Sequence, residues 1–363
     1  MNLTIHHGTH QIGGSCIEIK SRSSRIVIDI GIPLTDEKGE QIDSREYNKL
    51  TGQELFQRKI LPQVSGLYKW DISDSPQAVL ISHPHLDHYG LLPYVKPEIP
   101  LYMSQGCKEL IDIASYFEQI DFNLQRANVI FTWKSFSMGD FKITPYLVDH
   151  SAFDAFAYLV EADSRRIFYS GDFRGHGRKS ILFKHMIENP PKDIDLLIME
   201  GTMLGDRSAE SKSEDEVEQQ LIQLFGKEKR LLLIACSSQN IDRIISIYKA
   251  CKKTHKTFVI IPRTAYILQK INREGLSIPQ FDWPNIRVFF APTKPTKILA
   301  EHNLLYQFAK RKISYEEIEK RKNELVILDS YLIRENFAKK GYLDNALLIY
   351  LTNNHKPAQL SLQ

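Results

Sequence analysis

Six consecutive residues, His83-Pro84-His85-Leu86-Asp87-His88, carry three imidazoles and one carboxylate. The apolar run Ala78-Val79-Leu80-Ile81-Ser82 precedes them and reads as a buried strand whose end presents the polar cluster. Pro84 keeps His83 out of helical conformation. In an extended segment residues i and i+2 share a face, so His83 and His85 can reach one ion. Asp87 and His88 follow the turn and face a second. Imidazole with carboxylate suits zinc or a similar first-row metal. The plain alternative is a solvated His-rich loop, but so many ligand types at one strand end favour metal.

Other apolar strands end in residues of the same kind. Tyr146-Leu147-Val148 runs into Asp149-His150, Arg166-Ile167-Phe168-Tyr169 into Ser170-Gly171-Asp172, and Asp195-Leu196-Leu197-Ile198-Met199 into Glu200. Taken singly, His150 reads as a satisfied core histidine, Asp172 as a turn residue and Glu200 as an ordinary strand-end acid. The stretch Asp172 to Lys179 is rich in glycine and cations. Arg174, Arg178 or Lys179 could hold a phosphate there, since guanidinium matches phosphate geometry; a solvated loop is nearly as good a reading.

The elements that must position these residues follow from periodicity. Cys16–Lys20 and Ile26–Gly31 form a hairpin. Residues 32–77 are polar and irregular, broken by Pro33, Pro62 and Pro76, and could contribute a substrate rim. A helix begins at Tyr89, and residues 106–126 show helical spacing with Leu110, Ile113, Ala114, Phe117 and Ile120 on one face. Val129-Ile130-Phe131 and Phe141–Thr144 are strands. From about residue 205 helices and strands alternate: Ser213 caps a helix with Glu216 at the capping-box position, Leu231–Ala235 and Thr257–Ile261 are buried strands, and a βαβ unit results. The charged run 305–325 reads as a solvated helix face. Leu325–Leu328 and Ala346–Leu351 are two more strands.

His-x-His-x-Asp-His after an apolar strand, then a lone His, a strand pair and Ser-Gly-Asp, resembles the metallo-β-lactamase superfamily of binuclear metallohydrolases. The resemblance assigns His83, His85 and His150 to one ion, Asp87 and His88 to the other, and Asp172 to both, with Asp29 supporting the loop from behind. Glu200, leading into Gly201-Thr202, is similar to the acid that orients a catalytic histidine in the β-CASP, ribonuclease J-like branch. Ser238, Asn240 and Arg243 resemble residues that border the nucleic-acid channel in that branch. The fold implied is α/β: a metallo-β-lactamase αββα sandwich over 1–204, an inserted or appended β-CASP-like α/β domain over 205–350, and an irregular tail over 351–363. The branch's two later histidines, one a general acid and one a second-site ligand, are not matched, because His302 and His355 sit in unlike contexts. The chain therefore reads as a shortened member, with an incomplete second site and, lacking that acid, a lower rate by a factor on the order of 10²–10⁴.

Composition is compatible with this and selects little by itself. The net charge of +3 over 363 residues permits a nucleic-acid partner without demanding one. Four scattered cysteines suit a reduced, cytoplasmic protein and exclude a disulfide frame or zinc ribbon. No apolar run approaches a membrane span. The resemblance implies a phosphodiesterase or nuclease acting on RNA, or less readily on single-stranded DNA, with two zinc ions or manganese in their place. Two alternatives stay open: a small-molecule hydrolase of the metallo-β-lactamase type, and an inactive relative that binds nucleic acid or a partner. A homodimer is compatible with either.

Overall fold

The structure, a computed structural model, describes residues 1–35, 39–42, 47, 49–120, 122, 124, 127–202, 212–329, 331–339, 341, 343, 346–351 and 361–362. It divides into two compact units, Met1–Gly175 with Lys179–Thr202, and His176–Arg178 with Met203–Gln363. His355 and the segments 203–211 and 352–360 lie outside the described residues.

In the first unit, alternation along each strand feeds two different cores. Ile17 and Ile19 of Cys16–Ser21, with Ile26 and Ile28 of Ser24–Ile28, point to one side, while Cys16 and Val27 point to the other. The sheet holding them has six strands in the order Asn2–His7, Cys16–Ser21, Ser24–Ile28, Ala78–Leu80, Leu101–Met103, Ala127–Val129. The first three are antiparallel and the rest parallel. A second sheet runs Leu196–Ile198, Arg165–Tyr169, Phe156–Ala162, Phe141–Leu147, Phe136–Met138. Ile143, Tyr158 and Val160 of the second sheet meet Ile19, Ile28 and Leu80 of the first in one buried layer.

Helices cover the outer faces. Gln105–Glu118, capped by Ser104 Oγ accepting from Cys107 N, buries Cys107 and Ile111 with Val27 and Val79 of the first sheet. Helix Ser180–Glu188 lays Met186 near Ala157 and Leu159 of the second. The helix–sheet–sheet–helix sandwich expected from the sequence is therefore present. Leu196–Ile198 is an edge strand, and Leu196 and Leu197 are exposed on it.

The second unit is built on a seven-stranded sheet. Its order is Lys312–Ile313, Ile286–Phe289, Thr257–Ile260, Leu325–Asp329, Leu231–Ala235, Ala346–Tyr350, Ser361–Leu362. Every neighbouring pair is parallel except the last. The central strands Leu231–Ala235 and Thr257–Ile260, buried on both faces, are continuous apolar runs rather than alternating ones. The helix Glu214–Lys227 starts at the full capping box of Ser213 and Glu216.

Several expectations shift. The stretch 32–77, expected to be irregular, holds a helix, Gly52–Gln57, started by the capping box of Thr51 and Glu54, and among its described residues Tyr47, Leu55, Leu61, Val64, Leu67 and Tyr68 are buried in the first core. Helix begins at Leu86–Tyr89 rather than at Tyr89, so Asp87 and His88 ride on the helical turn itself. The strand expected at 129–131 is Ala127–Val129, and Phe131 opens a turn. The charged run 305–325 is broken into a 3₁₀ segment Leu305–Arg311, the strand Lys312–Ile313 and the helix Tyr315–Lys320. Ser314 forces that last start by accepting from Glu317 N.

Candidate metal centre

The six-residue cluster leaves the strand Ala78–Leu80 and is clamped by backbone. Ile30 N donates to His88 O at 2.8 Å, Ile32 N to Leu86 O at 2.9 Å, and Ser15 N to Asp87 O at 3.1 Å. The fit is so close that a Cβ on Gly31 would stand 1.5 Å from Asp87 O. Gly13, at φ +77, lets a second loop approach Asp87 Cβ from another side.

Within that clamp the ligand atoms converge. His85 Nδ1 lies 3.2 Å from His83 Nε2 and 3.2 Å from His150 Nε2. His88 Nε2 lies 3.2 Å from Asp172 Oδ1, and His83 Nε2 3.9 Å from Asp172 Oδ2. Two groups of donors result, His83–His85–His150 and His83–His88–Asp172, each within 4.8 Å. Asp87 stands at the margin, its Oδ2 3.9 Å from His88 Nε2. The structure thus brings the six residues singled out as ligands to one place, with Asp87 the outermost.

Electrostatics separates the two groups. Burial, then the neighbouring imidazoles, push the His83 pKa well below its usual value. Burial lowers those of His85 and His150 as well. Three neutral imidazoles whose ring nitrogens converge about 3 Å apart can each turn a lone pair to one cation, so this donor set fits a divalent metal. Burial opposes charge on His88 too, but Asp172 and Asp29 outweigh it and raise its pKa well above the usual value. Burial likewise opposes ionisation of Asp172, and the imidazoles, His88 foremost, overcome it and hold the carboxylate below its usual range. Without a metal, a proton on His88 supplies the positive charge beside Asp172.

Asp29, at the end of Ser24–Ile28, carries the cluster from behind. Its Oδ1 accepts from Ser82 N at 2.7 Å, and its Oδ2 from Ser82 Oγ at 2.7 Å, Tyr169 OH at 2.7 Å and His88 Nδ1 at 2.8 Å. It is fully buried, in a left-handed conformation at φ 59. Orienting partners of this kind fix which ring nitrogen a histidine presents. Ser82 and Tyr169 were not anticipated. Ser82 precedes the cluster directly, whereas Tyr169 reads as one more apolar strand residue.

Glu200 accepts from Phe173 N at 2.7 Å and bonds the Thr202 side chain. It therefore braces the loop after Asp172, and burial with the Asp172 charge pushes its pKa up to about 7. Arg174 joins the same loop to that of His150: its N donates to Asp149 O at 2.7 Å and its Nε to Asp149 Oδ1 at 3.4 Å. Its charge reaches His85 and His150 and helps to lower both pKa values. Lys179 Nζ lies 5.9 Å from the Phe153 ring centroid.

The remaining residues marked for substrate belong to the second unit and are engaged there. Arg178 Nη2 donates to Glu218 Oε2 at 2.6 Å and to Ser246 Oγ at 2.9 Å. Arg243, 4% exposed, donates through Nε and Nη2 to Glu214, its shortest bond being 2.9 Å. Asn240 Oδ1 accepts from Arg243 N as the cap of the helix Ile241–Lys253, and Ser238 Oγ meets Thr264 Oγ1 at 2.8 Å. These contacts hold the second unit together.

Known proteins match this chain in sequence and in fold. It is 24% identical over 271 residues to ribonuclease J of Helicobacter pylori, covering 71% of this chain and 36% of that protein. It is 25% identical over 211 residues to an RNase J-like protein of Methanocaldococcus jannaschii, covering 55% of this chain and 42% of the relative. The transcription termination factor FttA of Methanothermobacter thermautotrophicus is 25% identical over 241 residues, 61% of this chain and 34% of the factor. The matched region thus spans well under half the length of each of these relatives. A crystal structure of a protein of unknown function from Enterococcus faecalis superposes with a TM-score of 0.74 at 20% identity, covering 98% of this chain and 88% of that one, which establishes the shared fold. Residues 52–234 match the model of the β-lactamase superfamily domain, half of the chain including the His cluster, His150 and Asp172, and the chain therefore belongs to the metallo-β-lactamase superfamily.

Proposed function

We propose that the protein is a metal-dependent phosphodiesterase acting on RNA, with single-stranded DNA as the lesser substrate. The observation that carries this reading is the convergence of His83, His85, His150, His88 and Asp172 from separate strand ends onto one spot. The names of the sequence relatives, ribonuclease J foremost, support RNA as substrate. Imidazole-rich donors suit zinc, with manganese the next candidate. When bound, such ions supply Lewis acidity toward a phosphoryl oxygen and lower the pKa of a water.

The chain's own residues do the rest. His83, His85 and His150, kept neutral by burial, offer lone pairs rather than protons. Asp29 fixes His88 so that Nε2 faces Asp172. Glu200, with its pKa near 7, can hold or release a proton at neutral pH beside Asp172. Arg174 keeps the His150 and Asp172 loops together and places a cation by the imidazoles. The described cysteines are unpaired, which suits a cytoplasmic protein; no helix among the described residues is long and apolar enough to cross a membrane.

The test is metal analysis of the purified chain alongside cleavage of single-stranded RNA with added zinc or manganese. Bound metal and cleavage, both lost in Asp172→Ala, are expected. A protein that neither retains metal nor cleaves RNA with either ion overturns the reading.

A further inference from the structure

The turn Phe131–Lys134 displays two aromatic rings to water, one of them, Trp133, on a backbone that disfavours it. Lys134 N donates to Phe131 O at 3.1 Å, and Trp133 has φ 59. A positive φ at the third position is the type II form, where glycine or asparagine is usual. A bulky residue there is an outlier, and such outliers cluster where function holds them. Trp133 is 53% exposed and Phe131 59%. Among the described residues the indole makes a T-shaped ring contact with His185, centroids 6.4 Å apart at 76°. Lys134 makes no ion pair among the described residues, and its ammonium lies 5.3 Å from the Phe131 ring centroid.

The position of the turn matters as much as its composition. Trp133 N donates to Pro145 O at 2.7 Å, and Thr132 Oγ1 accepts from Leu147 N at 2.8 Å. Leu147 is three residues before His150, a span of at most about 10 Å. The rings are therefore pinned to the end of the strand that delivers a metal-site histidine.

We propose that Phe131 and Trp133 form a stacking platform for unpaired bases of a single-stranded RNA, with Lys134 meeting its backbone. Exposed aromatics beside a cation are how single strands are held without sequence preference. Trp and Phe also suit a protein contact, but lysine is depleted from such interfaces, and here the Lys134 ammonium stands beside the ring, as a nucleic-acid strand would use it. This inference rests on the phosphodiesterase reading and extends it to how substrate is presented.

The test measures binding of a fluorescently labelled 12-nucleotide single-stranded RNA to the whole chain in EDTA, by anisotropy. Phe131→Ala and Trp133→Ala should each weaken binding by roughly 5- to 100-fold. Trp133→Phe should restore most of it. Trp133→Gly relieves the left-handed strain, so it should lose affinity without a fall in Tm. Hydrolysis of bis(p-nitrophenyl) phosphate with zinc, which needs no polynucleotide to be held, should be unchanged in all four. Unaltered RNA affinity in the variants, or no RNA binding by the unmodified chain, overturns the platform. So does a change of oligomeric state by light scattering with RNA affinity intact, which would make the turn a protein contact. Loss of the small-ester activity in the unmodified chain would count against the phosphodiesterase reading instead, since the EDTA binding arm needs no metal.

Discussion

Gly31→Ala is the sharpest test of how the metal loop is held. The new Cβ would stand 1.5 Å from Asp87 O and 2.0 Å from Asp87 C. Real Cβ contacts stay beyond 3.0 Å, so one segment must retreat by 3.0 − 1.5 = 1.5 Å. The bonds Ile30 N to His88 O (2.8 Å) and Ile32 N to Leu86 O (2.9 Å) stretch or bend past hydrogen-bond range if the loop moves that far. Two lost backbone bonds cost about 1 kcal/mol each, and buried groups left unpaired raise the total to roughly 2–4 kcal/mol. The same movement draws Asp87 and His88 away from Asp172 while His83, which precedes the clamp, moves less. Urea denaturation should show the loss of stability, and calorimetric titration with zinc should show weakened binding in the group containing His88. Gly226→Ala is the control: nothing lies within 4 Å of its Cβ, and it sits in the helix Glu214–Lys227. It should gain about 0.5–1 kcal/mol. Gly31→Ala with unmodified stability and metal affinity would refute the close-approach argument.

Asp29→Asn keeps the shape but turns an acceptor into a donor facing Ser82, Tyr169 and His88; stability should fall by about 2–4 kcal/mol and metal affinity about 10- to 100-fold, read by denaturation and metal titration. Arg243→Met strands the buried Glu214 charge and should cost about 3–5 kcal/mol with metal content unchanged; undiminished stability with weaker RNA binding would instead make Arg243 a substrate contact. Glu228, held by Arg230 and by the backbone N–H groups of Arg230 and Lys229, has its pKa lowered from 4.5 to about 2. A depressed carboxylate contributes above its unfolded pKa and stops contributing as pH falls through the folded one. Glu228→Gln should therefore lower stability at pH 7 by less than about 1 kcal/mol, because solvent screens the group, read as a small drop in Tm that should vanish below pH 2.

What could be read in the residues was mostly local. A proline-interrupted His cluster at the end of the apolar run Ala78-Val79-Leu80-Ile81 needs no partner to be recognised, whereas His150, Asp172 and Glu200, ordinary strand-end residues taken singly, gain meaning only from their order after it. The helix Ser180–Glu188 was not foreseen: it follows a glycine- and cation-rich run, and Ile181 and Ile187 on it face water. The insertion 32–77 hides its contribution because Leu55, Leu61, Leu67 and Tyr68 follow neither a helical nor a strand period, yet all are buried. Arg178 is expected from its charge to hold a phosphate, and Arg243 from the resemblance to border a nucleic-acid channel; in the structure both are engaged by buried carboxylates. Their partners, Glu218 and Glu214, lie 40 and 29 residues away in the chain, beyond any local pattern. Charge identity is local information, while charge pairing belongs to the tertiary fold.

Among the described residues nothing pairs with the outer edge of the strand Leu196–Ile198, which carries two exposed leucines. Such a rim is a template for any other extended chain, including a second molecule unfolding nearby. Its brevity, three residues, limits how much backbone such pairing can satisfy. Purified samples should therefore keep best dilute and cool, and a lysine in place of Leu197 should lengthen their shelf life.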